Sequence, residues 1–279
     1  MNTVAHELSD QAFRILVDIV YEHSHIRVGP DKQLMLANRL RKRARALGFH
    51  SCSDYAVALA ERGGADEVEE LVDLVSTNHT QFFREAEHFE FLAKTVIPEF
   101  LPSALASGSA LRVWSAAASS GEEPYSIAVT LAEQLRGHPA AQWEVLGSDI
   151  SRRMLAQAQL GVYRMDRVAT VRPDWLQRYF EQGFAESHGK CRLRAELKRR
   201  VQFERINLFQ DRYPIPARQH VIFCRNVMIY FDLPSREAAV EKLVGHLVPG
   251  GYLVIGYSES LLGIKHALQP VGQGIYRLP

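Results

Sequence analysis

The chain has 279 residues, with 33 Lys and Arg against 32 Asp and Glu and a formal charge of +1. That length suits one large domain or two modest ones, and the balanced charge argues neither for a nucleic-acid binder nor for an acidic tail. Three widely separated cysteines (Cys52, Cys191, Cys224) and eleven histidines without an HExxH pair argue against a disulfide framework and a structural metal.

The N-terminal stretch MNTVAHELSDQAF lacks the apolar core of a signal peptide, and no segment reaches the length of a membrane span. A cytoplasmic protein without membrane insertion is therefore expected. The first eighty residues or so read as helical. Phe13, Leu16, Val17 and Val20 mark one apolar stripe, and Val68, Leu71, Val72 and Val75 mark another. Between them Leu36, Leu40, Ala44 and Leu47 trace a third face, closed by Gly48. That third helix also carries Arg39, Arg41, Lys42, Arg43 and Arg45, whereas the helix from Asp66 to Asp73 is acidic. A solvated charged face is the plain reading of such a run, and an acidic partner is the functional one.

From Leu111 the pattern becomes alternating strand and helix, the mark of a parallel α/β sheet. Strands are expected at Leu111–Ser115, Trp143–Gly147, Val201–Ile206, His220–Cys224 and Tyr252–Gly256, with a final hairpin near Leu268–Leu278 turning at Val271–Gly274. Helices are expected at Pro124–Arg136, Ser151–Gln159 and Pro234–Leu247. About fifty residues separate Asp149 from Val201, where a simple crossover needs roughly a dozen. The surplus predicts a helix at Pro173–Gln182 and a small β insertion at about 183–200. In that insertion Cys191, Leu193, Ala195 and Leu197 would share one side of an alternating segment. The division expected is a helical domain at 1–76, a linker and helix at 77–110, and an α/β domain at 111–279.

The richest segment is RVWSAAASSGEEPYS, Arg112 to Ser126. A strand, a turn of small residues and a helix opened by Gly121, Glu122, Glu123 and Pro124 form a cofactor cradle in nucleotide-type folds. Two acids stand where a phosphate cradle would offer bare N–H groups. They would repel a pyrophosphate and attract an ammonium or sulfonium, which points to S-adenosylmethionine. The macrodipole alone also favours acids in a first turn. Asp149, in GSDIS a little over twenty-five residues after Glu123, is placed to accept ribose hydroxyls. The plain reading is a helix cap, a role Ser151 can fill instead.

Thr77, Asn78 and Thr80 are poor mid-helix residues and precede Phe82, Phe83 and Arg84. Arg84 is suited to hold a carboxylate by a forked hydrogen bond. Asn207-Leu208 follows the third strand, where adenine recognition usually falls. Arg225 and Asn226 close the fourth strand, where ligands bind in open α/β sheets. Tyr230 and Phe231 follow, and core packing is the plain reading for both. Ser258 and Glu259 lie beyond the fifth strand and are assigned no chemistry.

Together TNHTQFFRE, SAAASSGEEPYSIA, GSDIS, INLF, IFCRNVMIYFD and GYSESL resemble the signatures of the CheR family of chemotaxis receptor methyltransferases, in order and over nearly the whole chain. The resemblance implies an S-adenosylmethionine-dependent (Rossmann-like) methyltransferase sheet with an N-terminal all-helical domain and a small inserted antiparallel β-subdomain. It implies a protein-glutamate O-methyltransferase acting on the cytoplasmic helical bundle of chemoreceptors and releasing S-adenosylhomocysteine. Cofactor contacts would be Asn78, Thr80, Arg84, Glu123, Asp149, Asn207, Leu208, Arg225 and Asn226, with Arg84 and Tyr230 nearest the reacting groups. The five cations of the basic helix would face the receptor, and the inserted hairpin resembles a dock for a receptor's C-terminal peptide.

A substrate glutamate, with an ordinary pKa of about 4.3, is already ionised at neutral pH and needs no general base. Arg84 would hold either that carboxylate or the cofactor's own. Two alternatives stand beside this reading: a small-molecule methyltransferase, and a non-catalytic adaptor that senses S-adenosylmethionine or a nucleotide. A monomer without nucleic acid is expected.

Overall fold

The structure is a computed structural model describing residues 8–279. Most of the N-terminal stretch read above as lacking a leader core lies outside them. The described residues form two compact units. One is the N-terminal region to Thr77 together with Tyr230–Arg236, and the other is Asn78–Ile229 with Glu237–Pro279.

The helical unit holds α1 (Asp10–Ser24), α2 (Gln33–Ala46), α3 (Cys52–Arg62) and α4 (Ala65–Val75). Ser9 caps α1 by accepting from the Ala12 N–H, and Ser51 caps α3 by accepting from the Asp54 N–H. The three apolar stripes meet in one core of Phe13, Leu16, Val20, Leu36, Leu40, Leu71 and Val75, with Tyr55 from α3. Leu47, expected on the inner face, is 44% exposed because α2 ends before it. The Tyr230–Arg236 segment is tied into this unit: the Arg27 N–H donates to the Tyr230 carbonyl (2.9 Å), and the Tyr21 hydroxyl donates to Asp232 Oδ2 (2.6 Å).

The second unit opens with α5 (Ala86–Phe91), a π-helical turn (Leu92–Val96) and α6 (Ile97–Ser107). These were expected to include a linker. Instead Phe89, Leu92, Val96, Ile97 and Ala104 are buried in the same core as the sheet. The elements continue with β1 (Ala110–Ser115), α7 (Glu122–Gln134), β2 (Gln142–Asp149), α8 (Arg152–Leu160), β3 (Val162–Arg164), α9 (Pro173–Tyr179), β4 (Phe180–Gln182), β5 (Lys190–Leu193), α10 (Ala195–Lys198), β6 (Val201–Arg205) and β7 (Gln219–Phe223). After α11 (Leu233–Gly245), whose first turn belongs to the helical unit, come β8 (Leu247–Val254), β9 (Gln269–Gly272) and β10 (Ile275–Arg277).

The main sheet has the order β6-β2-β1-β7-β8-β10-β9. Neighbours from β6 to β8 pair parallel, and the final hairpin is antiparallel. The strand order reverses between β1 and β7, so a crevice opens beyond their carboxyl ends, where ligands bind in open α/β sheets. Ser115 and Phe223 are paired at that point, which brings the small-residue turn after β1 beside Cys224, Arg225 and Asn226.

The insertion differs from its sequence reading. It is a three-stranded antiparallel sheet, β3-β5-β4, whose strands run from Val162 to Leu193 rather than within 183–200. The alternation continues to Leu197, but the strand stops at Leu193 and Ala195–Lys198 coils into one helical turn. Ala-Glu-Leu-Lys consists of good helix formers. Leu197 stays buried, whereas Ala195 turns outward. Likewise the helix expected at Pro173–Gln182 ends at Tyr179, and Phe180–Gln182 becomes β4.

Candidate active site at the strand switch

The turn after β1 is drawn tight by its neighbours. Gly121 adopts φ 96°, and a Cβ there would lie 2.8 Å from the Tyr163 hydroxyl and 2.9 Å from the Ala158 Cβ, so only glycine fits. The Ser119 N–H donates to Asp149 Oδ2 (2.8 Å), and the Ser151 N–H donates to Oδ1 (2.9 Å). Asp149 thus braces the cradle turn from the end of β2. Ser151 caps α8 by accepting from the Met154 N–H. The Ser119 hydroxyl donates to the Asn78 carbonyl (3.4 Å), bringing the TNHT strap over the same turn.

The two helix-opening acids part company. Glu122 is 1% exposed and accepts from Arg167 Nη2 (2.5 Å) and from the Ser120 hydroxyl (2.6 Å). Arg167 Nη2 also donates to the Thr80 carbonyl (2.8 Å), so this pair fastens strap, cradle and insertion together. Glu123 turns to the ends of β1 and β7. It accepts from the Ser115 hydroxyl (2.8 Å) and from Arg225 Nη1 (3.0 Å), with its side chain only 12% exposed. Burial pushes its carboxyl above the ordinary range, against the opposing pull of Arg225 and Ser115.

Arg225 is the centre of the cluster, its side chain 1% exposed. Besides Glu123 it reaches Glu85 Oε2 (2.9 Å) and the Arg84 carbonyl (2.5 Å) through Nη2. Glu85 also accepts from Asn226 Nδ2 (3.3 Å) and the Tyr257 N–H (3.2 Å). Burial raises the Glu85 carboxyl, but the Arg225 bond and charge, Asn226 and Tyr257 outweigh it, leaving a net lowering. His88, fully buried, sets Nε2 on the Gln273 carbonyl (3.0 Å) and Nδ1 3.5 Å from Glu85. Burial keeps its pKa below the usual imidazole range.

Glu259 shapes the other side. Its carboxylate accepts from the N–H groups of Asn226 (2.8 Å), Gly256 (2.7 Å) and Met228 (2.7 Å). Asn226 is left-handed (φ 58°), and its amide packs so close that a Cβ on Gly256 would lie 2.4 Å from Nδ2. Six non-glycine residues among those described have positive φ; four of them, Phe83, Glu85, Ser119 and Asn226, surround this crevice. Such strain of about 1–3 kcal/mol each clusters where geometry serves a ligand.

Asn78, Thr80, Arg84, Glu123, Asp149, Asn207, Leu208, Arg225 and Asn226 therefore all belong to the α/β unit. Arg84 is partly exposed, donates Nη1 to the His79 carbonyl (3.0 Å) and lies 4.0 Å from Glu85. The Asp149 carbonyl accepts from the Ile206 N–H, which sets Asn207 and Leu208 just beyond it. Asn207 Oδ1 accepts from the Phe209 N–H, and the Leu208 carbonyl accepts from the Tyr213 hydroxyl. Tyr230 is grouped with the helical unit instead. Sequence reasoning passed over Glu85, Arg167 and Glu259. Only Glu85 had a local signal, its place directly after Arg84.

The basic helix also divides. Arg39 Nη1 donates to the carbonyls of Leu74, Val75 and Ser76, closing the end of α4. Arg43 forms a forked pair with Glu67 (3.0 and 2.5 Å), which also accepts from Tyr55. These two expected receptor contacts are committed to internal bonds, because positions four apart share the face turned to α4. Lys42 and Arg45 are exposed, and Arg41 is half-buried.

The family model for the CheR methyltransferase SAM-binding domain matches residues 78–276, and that for the CheR methyltransferase all-alpha domain matches 11–76. The chain belongs to the CheR methyltransferase family. It is 40% identical to the chemotaxis protein methyltransferase of Salmonella typhimurium over 97% of this chain and 91% of that protein. For the Escherichia coli protein of the same name the identity is 38%, over 97% and 92%. For chemotaxis protein methyltransferase 2 of Pseudomonas aeruginosa it is 36%, over 95% and 91%. S-adenosylmethionine is the cofactor, methyl transfer is the chemistry, and the family supports a place in chemotaxis. Among the described residues no helix is long and apolar enough to cross a membrane, and no acidic, His or Cys group could hold a metal.

Proposed function

We propose that this protein methylates glutamate side chains on the cytoplasmic helical bundle of chemoreceptors, as a protein-glutamate O-methyltransferase in the cytoplasm. The observation that carries the reading is the pairing of a buried acid, Glu123, with Arg225 at the strand switch, beside Asp149 at the end of β2. When bound, the cofactor supplies an electrophilic methyl group on a sulfonium. Glu123 receives the cofactor's ammonium, Asp149 its ribose hydroxyls, and Asn207 with Leu208 its adenine. Asn78, Thr80 and Asn226 line the cradle.

Arg84, partly exposed beside Glu85, orients a carboxylate. A glutamate nucleophile with a pKa near 4.3 arrives ionised, so the protein need not remove a proton. Opposite charges vanish as a neutral ester and thioether form, which a dry site favours over hydrated ions. Positioning for in-line attack supplies much of the remainder.

The exposed Lys42 and Arg45, with Arg41, present positive charge to a glutamate-rich receptor helix. The antiparallel insertion, with β3 and β4 at its edges, offers a strand to a receptor's C-terminal peptide. The protein acts as a monomer. The family assignment favours the enzyme over a sensing adaptor.

The test is transfer of tritiated methyl from the cofactor to receptor-containing membranes. Label should appear on the receptor band, and Arg84→Ala should remove most of it. Equal labelling by Arg84→Ala, or label on small molecules without receptor, overturns the proposal.

A further inference from the structure

The Arg225 guanidinium lies between two carboxylates, Glu85 at 2.9 Å and Glu123 at 3.0 Å. Arg84 stands 4.0 Å from Glu85 at the partly exposed rim, so at the buried centre one cation faces two anions. Glu85 is built in to stay. Its carboxylate is held by Asn226 Nδ2 and the Tyr257 N–H as well as by Arg225, and its backbone is pinned at φ 57°. Glu123 has a single neutral partner, Ser115, besides Arg225.

We infer that Glu85 is a positioning residue that keeps the buried Arg225 paired, so that Glu123 can turn its charge to the cofactor's ammonium. The inference rests on the reading of Glu123 as the ammonium's partner. Without Glu85, Arg225 would claim Glu123 alone, and an arriving ammonium would bring a second cation to a pocket with one anion. A buried charge left without its partner is far costlier than an exposed one. With Glu85 in place the same arrival balances the buried centre, two anions against two cations, with Arg84 and the cofactor's carboxylate left to the rim. The excess negative charge is thus a prepared vacancy for one positive group, and Glu85 supplies it without touching the ligand.

The experiment is titration calorimetry of wild type, Glu85→Gln, Glu85→Asp and Glu123→Gln with two ligands. S-adenosylhomocysteine carries the ammonium; 5′-methylthioadenosine has the adenosine but no amino-acid end, and its binding reports an intact pocket. Glu85→Gln should weaken S-adenosylhomocysteine about tenfold or more, the scale of a lost buried charge partner, and leave methylthioadenosine unchanged. Glu85→Asp should fall between. If Glu85→Gln does not fold, Glu85→Asp carries the same comparison. An unchanged ratio of the two affinities, whether both hold or both fall together, overturns the inference. Glu123→Gln separates the two claims. If it leaves S-adenosylhomocysteine binding intact, the ammonium reading itself fails; if it weakens binding while the Glu85 variants do not, only the role of Glu85 is lost.

Discussion

Two regions of this molecule are rich in arginine, and they use it in opposite ways. At the strand switch Arg225 is buried between Glu85 and Glu123 and bonded to both. On α2 the cations alternate: Arg39 and Arg43 turn inward to a helix end and to Glu67, whereas Lys42 and Arg45 stay exposed. A run of positive residues is thus not a uniform surface. Helical spacing decides which members are structural and which are free to meet a partner.

The largest expected effect is at the buried end of this comparison. Arg225→Ala leaves Glu85 and Glu123 without their shared cation and should cost about 3–5 kcal/mol of stability, read by denaturant unfolding. A loss under 1 kcal/mol would mean the two acids are better solvated than their burial implies. Arg39→Ala strips three carbonyls of a charged donor and should cost about 1–3 kcal/mol, again by unfolding. Were Arg39 a surface cation, the loss would be near zero.

Lys42→Glu and Arg45→Glu test the outer face. Each should change stability by less than about 0.5 kcal/mol. Each should also raise the receptor concentration for half-maximal methylation roughly two- to fivefold, the worth of an exposed ion pair, and less at high salt. Salt-independent kinetics in the charge-reversed proteins would remove the electrostatic contact.

The smallest effect concerns Asp232, whose carboxyl is pulled to about 2 by the hydrogen bonds from Tyr21 and Ser235. A depressed folded-state pKa adds stability above the unfolded value of about 3.9, and that stability is lost as pH falls toward 2. The gap in urea midpoint between wild type and Asp232→Asn should therefore narrow from pH 5 to pH 2. Parallel curves would contradict the assignment.

Much of this was legible in the chain itself. The cradle of small residues, the acid ending β2 and the Arg-Asn pair ending β7 are local motifs, each at the end of an apolar strand that sequence reveals. What stayed hidden is non-local. Glu85 meets Arg225 across 140 positions, and Glu259 braces Asn226 across 33, contacts that only the folded sheet creates. The insertion misled for a different reason. Alternation fits a strand through Leu197, but a single turn of good helix formers keeps Leu197 inside while turning Ala195 out. On α2, Arg39 and Arg43 look like their neighbours in sequence, and only α4 packed against them supplies the carbonyls and Glu67 that they bind.

In the reaction proposed, the methyl group goes to a carboxylate. The most direct test is to label receptor-containing membranes with tritiated cofactor and this protein, treat them with mild base, and collect the volatile fraction. Nearly all receptor label should leave as methanol, the product of ester hydrolysis. Label that stays on the receptor through base would place the methyl on nitrogen or carbon and contradict it.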